Sequence, residues 1–310
     1  MDSGLIQEVV SATLLAGTPL IIAALGLLMN ERAGVLNLGA EGMMSLGAVY
    51  GFIAALSFSS PVLGLAAGLM AGALVAGGFA LLTITLQANQ VASGLALAIF
   101  GVGLAGFVGK PYESQSLKAV GEWSIPLLVD IPWLGPIFFQ QQPMVYLSWV
   151  LFGAVWWFLY RSRSGLLLRA VGEDPAAAHA IGRSVVGVRY LAVIFGGALC
   201  GLGGACLSIF YAPMWVEGLI AGRGWIALAL VVFATWRPFR VLLGAYLFGG
   251  VLIAQLFLQG SGVKISVPSQ LLSSLPYLAT IIVLVLISRD SRRIRQHSPA
   301  SLGRAFRADE

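Results

Sequence analysis

The chain has 310 residues, of which 58% are hydrophobic and only 10% are charged, with a formal net charge of +5. This composition excludes an ordinary water-soluble domain and indicates an integral membrane protein. The arginines cluster where apolar runs end instead of covering one polar face, so the positive charge does not predict nucleic-acid binding.

Long apolar runs predict the membrane crossings. Residues Gly42 to Gly109 contain no Asp, Glu, Lys or Arg, which is enough for about three helices of about 20 residues each. The runs lack the alternation of a membrane β-strand. We therefore predict one domain over residues 1–310, an all-α polytopic bundle of about eight to ten transmembrane helices. The predicted crossings are 10–29, 35–58, 62–86, 90–108, 144–160, 190–212, 219–236, 241–258 and 270–288.

The N-terminus lacks the basic start of a secretory signal, since its first eight residues contain Asp2 and Glu8 but no Lys or Arg. We therefore expect the first helix to be kept as a structural crossing. Small residues recur four apart in two later runs, which predicts close packing between helices. These are Gly64, Gly68 and Gly72, and then Gly196, Cys200 and Gly204.

The segment 30–44, NERAGVLNLGAEGMM, interrupts the first two apolar runs. Where it is helical, Asn37 and Glu41 lie on one face at i and i+4. A carboxylate at bilayer depth costs about 2.5–3.5 kcal/mol, so it is expected to face a cavity or a partner. Discontinuous helices of this kind form substrate sites in transporters. We predict that Asn37 and Glu41 line a passage, and that Glu31 and Arg32 pair in the headgroup region.

Uncharged polar residues interrupt the next long apolar run at Asn89, Gln90 and Ser93. Amide donors and acceptors suit a neutral polar solute such as a nucleoside or a sugar, so these residues are further candidates for the passage. A turn at a helix end has the same pattern, and this alternative remains open. The following segment, 109–143, begins too polar to span. It is predicted to be an external loop that either faces a substrate-delivering partner or caps the helices.

The loop 161–189 contains five arginines and the signal of a short capped helix. Asp174 is a suitable N-cap, Pro175 suits the first helical position, and Gly182 can end the helix in the left-handed conformation. The helix body is small enough to enter a groove on another protein. Two interpretations remain open: a docking helix for a soluble partner, or a connector that is capped for its own stability.

Arginines mark one side of the membrane. They concentrate in the loop 161–189, in the turn WRPFR at 236–240, and in the tail 289–310. The positive-inside rule places these three regions, and with them the C-terminus, in the cytoplasm.

The sequence gives little support to an enzyme. It contains no G-x-x-x-x-G-K-[ST] loop, so ATP binding of that type is excluded. Its two histidines, His179 and His297, both lie in predicted cytoplasmic segments. A histidine-based catalytic or metal centre within the membrane is therefore excluded. We expect the chain to hold no cofactor and no metal of its own.

Four strings resemble the inner-membrane permease subunits of bacterial ABC importers for branched-chain amino acids, ribose and nucleosides. They are ERAGVLNLGAEGMM, NQVASGLAL, GEDPAAAHAIGRSVVGVRYLAVIFGGALCGLGGA and GRGWIALALVVFATWRP, and they occur in the expected order over nearly the whole chain. Within that family the chain is most similar to the nucleoside-type permeases.

The resemblance implies a multi-pass protein of the bacterial inner membrane with several partners. They are membrane lipid, a second related permease, an extracytoplasmic substrate-binding lipoprotein, and a cytoplasmic ATPase that binds ATP and Mg. The resemblance also implies a coupling helix seated in that ATPase. Its residues would be Gly172, Glu173, Asp174, Pro175, Ala176, Ala177, Ala178 and Gly182.

The leading hypothesis is the translocation subunit of an ABC importer for a nucleoside, in particular a purine nucleoside or a related base. A permease for a sugar or another small polar solute is an alternative. A second alternative is an ion-coupled carrier that works alone, for which Glu41 would be the intramembrane titratable group. A membrane scaffold without solute flux is a third.

Overall fold

The computed structural model describes residues 3–126, 128–131, 134–260 and 298–307, together with 274, 275, 278, 281 and 282. In this part of the chain the regular structure is almost entirely helical. The helices are α1 (Ser3–Arg32), α2 (Ala40–Phe58), α3 (Pro61–Ala80), α4 (Gln90–Gly109), α5 (Leu134–Phe139), α6 (Pro143–Arg161), α7 (Arg163–Glu173), α8 (Pro175–Ala180), α9 (Val185–Cys206), α10 (Arg223–Phe233) and α11 (Pro238–Gly260).

Short irregular elements extend or connect these helices. π-Helical turns at Leu81–Thr85 and Leu207–Tyr211 extend α3 and α9, and a 3-10 turn at Lys110–Tyr112 follows α4. Two short strands, β1 (Trp123–Ser124) and β2 (Gln140–Gln141), pair antiparallel within the predicted external loop.

Seven of the helices in the described ranges are long and apolar enough to cross a membrane: α1, α2, α3, α4, α6, α9 and α11. The prediction of an all-α polytopic membrane protein is therefore confirmed. Most of the predicted crossing 270–288 lies outside the described residues.

Two predicted crossings are wrong in their extent. Residues 33–39 form a turn, so α2 begins at Ala40 instead of near residue 35. The crossing predicted at 219–236 contains only the eleven-residue helix α10. The residues before α10 cannot continue a right-handed helix, because Gly218, Ala221 and Gly222 have φ of 76°, 48° and 82°.

Helix α9 lies at the centre of the bundle and packs against α1, α2 and α3. The two predicted runs of small residues allow this close approach. A Cβ atom on Gly72 of α3 would lie 2.1 Å from the carbonyl oxygen of Gly197, and one on Gly204 would lie 1.9 Å from that of Met44. The backbones of these helices are therefore in direct contact.

The predicted polar segments gather at two ends of the bundle. At one end the external loop meets the segment before α10, where the Leu117 amide donates to the Pro213 carbonyl at 2.8 Å. The arginine-rich end comprises the turn 33–39, the turn 234–236 with the start of α11, and residues 162–189 and 298–307. There Ser301 bonds Gly172, and Arg32 bonds Trp236. The prediction that the three arginine-rich regions share a side is confirmed for their described residues.

The segment 161–189 is not a loop with one helix, because α7 precedes α8. Ser162 caps α7 by accepting a hydrogen bond from the Gly165 amide at 2.9 Å. Leu168 and Val171 lie three residues apart on one face of α7 and are buried. This amphipathic pattern was available in the sequence, although the neighbouring arginines suggested an irregular loop.

The glycine contacts predict a position-specific effect on stability. We expect Gly72→Ala to destabilise the protein by about 1–3 kcal/mol, because the new Cβ would be forced into a backbone oxygen. Gly77→Ala is the matched control in the same helix, since a Cβ there has no atom within 4 Å. Thermal unfolding of the purified protein in detergent measures both. Equal unfolding midpoints for the two variants would contradict the described packing of α3 on α9.

Candidate functional site

Glu41 holds the beginning of the short helix α10. Its carboxylate oxygens accept hydrogen bonds from the Gly222 and Gly224 amides at 2.8 and 2.7 Å, and its side chain is buried. The first amides of a helix have no partner within the helix, and an acidic group near them is favourable. Glu41 therefore fixes the position at which the discontinuous crossing becomes helical.

This helix start lies deep within the bundle. The eleven residues of α10 span about 16 Å at 1.5 Å per residue, roughly half of a hydrocarbon core of about 30 Å. At its opposite end α10 stops at Phe233, three residues before Trp236 at the arginine-rich end. Gly222 and Glu41 therefore lie about one α10 length, roughly 16 Å, from the arginine-rich end.

Glu31 and Arg32 hold the other end of α10, so the prediction that they pair in the headgroup region is wrong. Glu31 is fully buried and accepts a hydrogen bond from the Trp236 indole N–H at 2.5 Å. Arg32 is buried too, and its Nε and Nη2 donate to the Trp236 carbonyl at 3.1 and 2.7 Å. A cation is favourable at the carboxyl end of a helix.

The turn after α10 has a strained backbone, so the contacts of Glu31 and Arg32 with Trp236 are needed to keep it in place. Thr235 and Trp236 have φ of 49° and 53°, in the left-handed region that disfavours residues with a side chain. Such residues cost about 1–3 kcal/mol each and persist only where surrounding contacts fix them. Arg240 donates to the Thr235 hydroxyl at 2.7 Å, and Arg32 binds the next carbonyl.

Asn37 and Gln90 lie together at the start of α2. Asn37 belongs to the turn 33–39, where its Oδ1 accepts from the Gly39 amide at 2.9 Å. It does not share a helical face with Glu41 as the i, i+4 spacing predicted. Gln90 begins α4, and its Oε1 accepts from the Leu36 amide at 2.8 Å. Both side chains are buried, and Gln90 joins the turn to α4, while Asn37 Nδ2 lies 3.5 Å from the Met43 sulfur of α2.

Asn89 and Ser93 remain accessible on the first turn of α4. Asn89 is the N-cap and accepts from the Ala92 amide at 3.0 Å, so the open alternative of a helix-end turn describes its local geometry. Ser93, one turn further on, is half-buried. The structure thus brings the five predicted passage residues to neighbouring parts of α2 and α4, with three of them buried.

Arg223 and Trp225 are the polar and aromatic residues that the sequence analysis did not single out. Both follow the deep start of α10, and Trp225 is 39% exposed. Arg223 is half-buried, and its guanidinium lies 5.7 Å from the Tyr211 ring centre. The sequence feature that could have identified them is a cation and an indole two residues apart within the otherwise apolar string GRGWIALAL.

Helix α8 has the cap geometry that the sequence predicted. Asp174 Oδ1 accepts from the Ala177 amide at 2.9 Å, Pro175 is the first helical residue, and Gly182 has φ of 77°. Ala176 and Ala177 face outward, as does Ile181 just after the helix. The result is a small, capped projection with an apolar surface.

The other predicted coupling residues attach this projection to the bundle. Ala178 is buried against Val171 and Val185. Glu173 is the last residue of α7, not part of α8, and is exposed. Gly172 is buried, and a Cβ there would lie 2.1 Å from the Arg32 carbonyl. The segment before α8 therefore lies directly on the end of α1.

A family model described as the permease component of a branched-chain amino acid transport system matches residues 9–287. The chain belongs to this family. The permease is 40% identical to a putative glucose ABC transporter permease protein of Haloferax volcanii, over 96% of both chains. It is 36% identical to a nucleoside ABC transporter permease protein of Lactococcus lactis, over 91% of this chain and 92% of the relative.

A third relative is a guanosine ABC transporter permease protein of Bacillus subtilis, 35% identical over 90% of this chain and 92% of the relative. No solved structure matches the chain. The permease is therefore a membrane-spanning component of an ABC transport system, as its sequence resemblance indicated.

The Glu41 contacts predict a local loss of stability on substitution. We expect Glu41→Ala to destabilise α10 by about 1–3 kcal/mol, because the half-buried Gly222 amide and the buried Gly224 amide lose their acceptors. Glu41→Gln retains one acceptor oxygen, so its stability should lie between that of the unmodified protein and that of Glu41→Ala. Hydrogen exchange of residues 222–226 and thermal unfolding measure the effect. Glu217→Ala, which removes an exposed carboxylate from the preceding segment, is the control. Unchanged exchange in Glu41→Ala would contradict the capping role.

Proposed function

We propose that the permease and a second, related permease subunit form the translocation pathway of an ATP-driven nucleoside importer, with purine nucleosides or related bases as solutes. The observation that carries this proposal is the discontinuous crossing 212–236. It presents Arg223 and Trp225 near mid-membrane, beside a helix start held by Glu41. Charged residues at this depth are found facing a passage or a partner, and transporter sites form at such broken helices.

The chemistry of this patch favours a planar solute. An indole and a guanidinium offer flat surfaces on which a nucleobase stacks, and the guanidinium also donates hydrogen bonds to base edges. The nucleoside and guanosine permeases among the relatives support the same solute class. Asn37, Glu41, Asn89, Gln90 and Ser93 then shape the wall beside the patch, with Asn89 and Ser93 as its accessible members.

A sugar is the second candidate, because one relative at 40% identity is a putative glucose permease. An ion-coupled carrier, in which Glu41 would be the titratable group, has less support, since both Glu41 oxygens accept hydrogen bonds from main-chain amides. Glu41 therefore acts as a helix cap. Uptake by proteoliposomes containing both permeases, the ATPase and the substrate-binding lipoprotein distinguishes these functions. ATP-dependent accumulation of guanosine or adenosine supports the proposal. Uptake of glucose alone, or uptake without ATP, contradicts it.

The arginine-rich end faces the cytoplasm in this proposal, and with it the C-terminal residues, in accord with the positive-inside rule. Helix α8 then docks on the ATPase, which alone binds ATP and Mg. The segment 109–143, together with the part of 212–222 that meets it at the opposite end, faces the lipoprotein. ATP-driven closure of the ATPase moves α8, and the bundle rocks between outward and inward access.

Substitution of Trp225 tests the solute contact. We expect Trp225→Ala to lower nucleoside uptake about tenfold or more, because base stacking on an aromatic ring contributes about 1–3 kcal/mol. Trp225→Phe keeps a stacking surface and most of the uptake. Trp157→Ala, which removes an exposed indole from α6, is the control. Equal uptake by Trp225→Ala and the unmodified complex, at equal expression, would refute the assignment.

Substitution in α8 tests the coupling role. We expect Ala177→Trp, and separately Asp174→Gly combined with Pro175→Gly, to uncouple ATP hydrolysis from transport while membrane insertion is unchanged. The first fills the small docking surface, and the second removes the cap. Ala154→Trp, at an exposed position in the middle of α6, is the control. Wild-type transport in both α8 variants would show that the ATPase does not bind α8.

A further inference from the structure

Residues 299–307 of the permease lie across the arginine-rich end. We name residues 299–307 the C-terminal strap. The sequence marked this region only as a basic tail, which would ordinarily be solvated. In the structure the strap instead lies along three parts of the bundle in turn: the end of α7, the turn 33–39 after α1, and the turn between α3 and α4.

The first anchor of the strap is built from hydrogen bonds to main-chain carbonyls. The Ser301 amide and hydroxyl both donate to the Gly172 carbonyl, at 3.0 and 2.7 Å, and the Gly303 amide donates to the Gly34 carbonyl at 3.2 Å. A Cβ on Gly34 would lie 2.4 Å from the Ser301 hydroxyl oxygen. The strap thus ties the segment before α8 to the turn 33–39.

A buried arginine fastens this anchor. The Arg189 side chain is 2% exposed, and its three nitrogens donate to the Ala33 carbonyl, the Arg304 carbonyl and the Ser301 hydroxyl at 3.2, 3.0 and 3.1 Å. A buried guanidinium is tolerated only when its donors are used. Two of the three acceptors belong to the strap, so the strap completes a site that would otherwise be unfavourable.

The second anchor lies on α8 itself. The Phe306 ring meets the His179 ring edge-on, with centroids 5.6 Å apart, and packs in the same cluster as Ala178 and Val171. The Phe306 carbonyl accepts from Gln87 Nε2 at 3.4 Å, and Arg307 Nε donates to Gln87 Oε1 at 3.0 Å. The strap therefore touches α8 and the turn before α4 with adjacent residues.

We propose that the C-terminal strap is a positioning element of the coupling apparatus, which transmits movement of α8 to the turn 33–39 and to the start of α4. This inference rests on the proposed role of α8 as the ATPase docking helix. The contacts form a continuous route. Phe306 moves with α8 because its ring packs on His179. Ser301 and Gly303 then transmit this movement through their hydrogen bonds to Gly172 and Gly34. The turn 33–39 leads directly to Glu41 and so to α10.

The test uses the complete transport complex and compares solute moved with ATP hydrolysed. Phe306→Ala removes the contact with α8, and Ser301→Ala removes the hydroxyl shared by Arg189 and Gly172. Both should raise the ATP consumed per solute transported by about fivefold or more. Arg304→Ala is the matched control, because it deletes an exposed charge of the strap but keeps the carbonyl that Arg189 binds. That ratio should be unchanged in Arg304→Ala.

A spin label at Ile181→Cys gives a readout that does not depend on transport. Its mobility should rise in Phe306→Ala and stay unchanged in Arg304→Ala. Lower thermal stability with an unchanged ATP-to-solute ratio would overturn the proposal, because the strap would then be only structural. If the unmodified complex transports no solute but label mobility still rises in Phe306→Ala, the proposed function fails while the contact between strap and α8 stands.

Discussion

Helix α10 is held at both ends by charged side chains from the first 41 residues of the chain. Glu41 binds the amides at its amino end, and Arg32 binds the carbonyl that follows its carboxyl end. Each charge has the sign that the helix dipole favours at that position. A helix of eleven residues is too short to cross a membrane alone. Its depth and direction therefore depend on these two contacts.

The buried charges around α10 act mainly on main-chain groups. Arg189 binds the carbonyls of Ala33 and Arg304 in the same way that Arg32 binds the carbonyl of Trp236. Breaks in membrane helices leave amides and carbonyls without partners, and water cannot supply them in the hydrocarbon core. The charged side chains satisfy these groups, so the turns at 33–39 and 234–236 are fixed in geometry and can move as units with the helices they join.

Local signals in the sequence were sufficient for the long helices and for α8, but not for α7 and α10. Apolar runs predicted the long helices, and the Asp174 cap with Gly182 predicted the short one, because both depend on residues close in the chain. The break before α10 was hidden within the predicted crossing 219–236, whereas the interruption of the apolar runs at 30–44 was visible and only the start of α2 at Ala40 was not. The partner of Glu41 was also hidden, because it is an amide 181 residues away. Likewise, no local pattern shows that Ser301 and Phe306 leave the solvent and bind the bundle.

We propose that movement of α8 reaches α10 through the turn 33–39 and the end of α1. The most direct measurement is the distance between spin labels at Val216→Cys, before α10, and Leu74→Cys on α3, both exposed positions. In the complete complex this distance should change when nucleotide is trapped in the ATPase, and Arg32→Ala should abolish the change. An identical distance with and without trapped nucleotide, in a complex that transports its solute, would contradict the account.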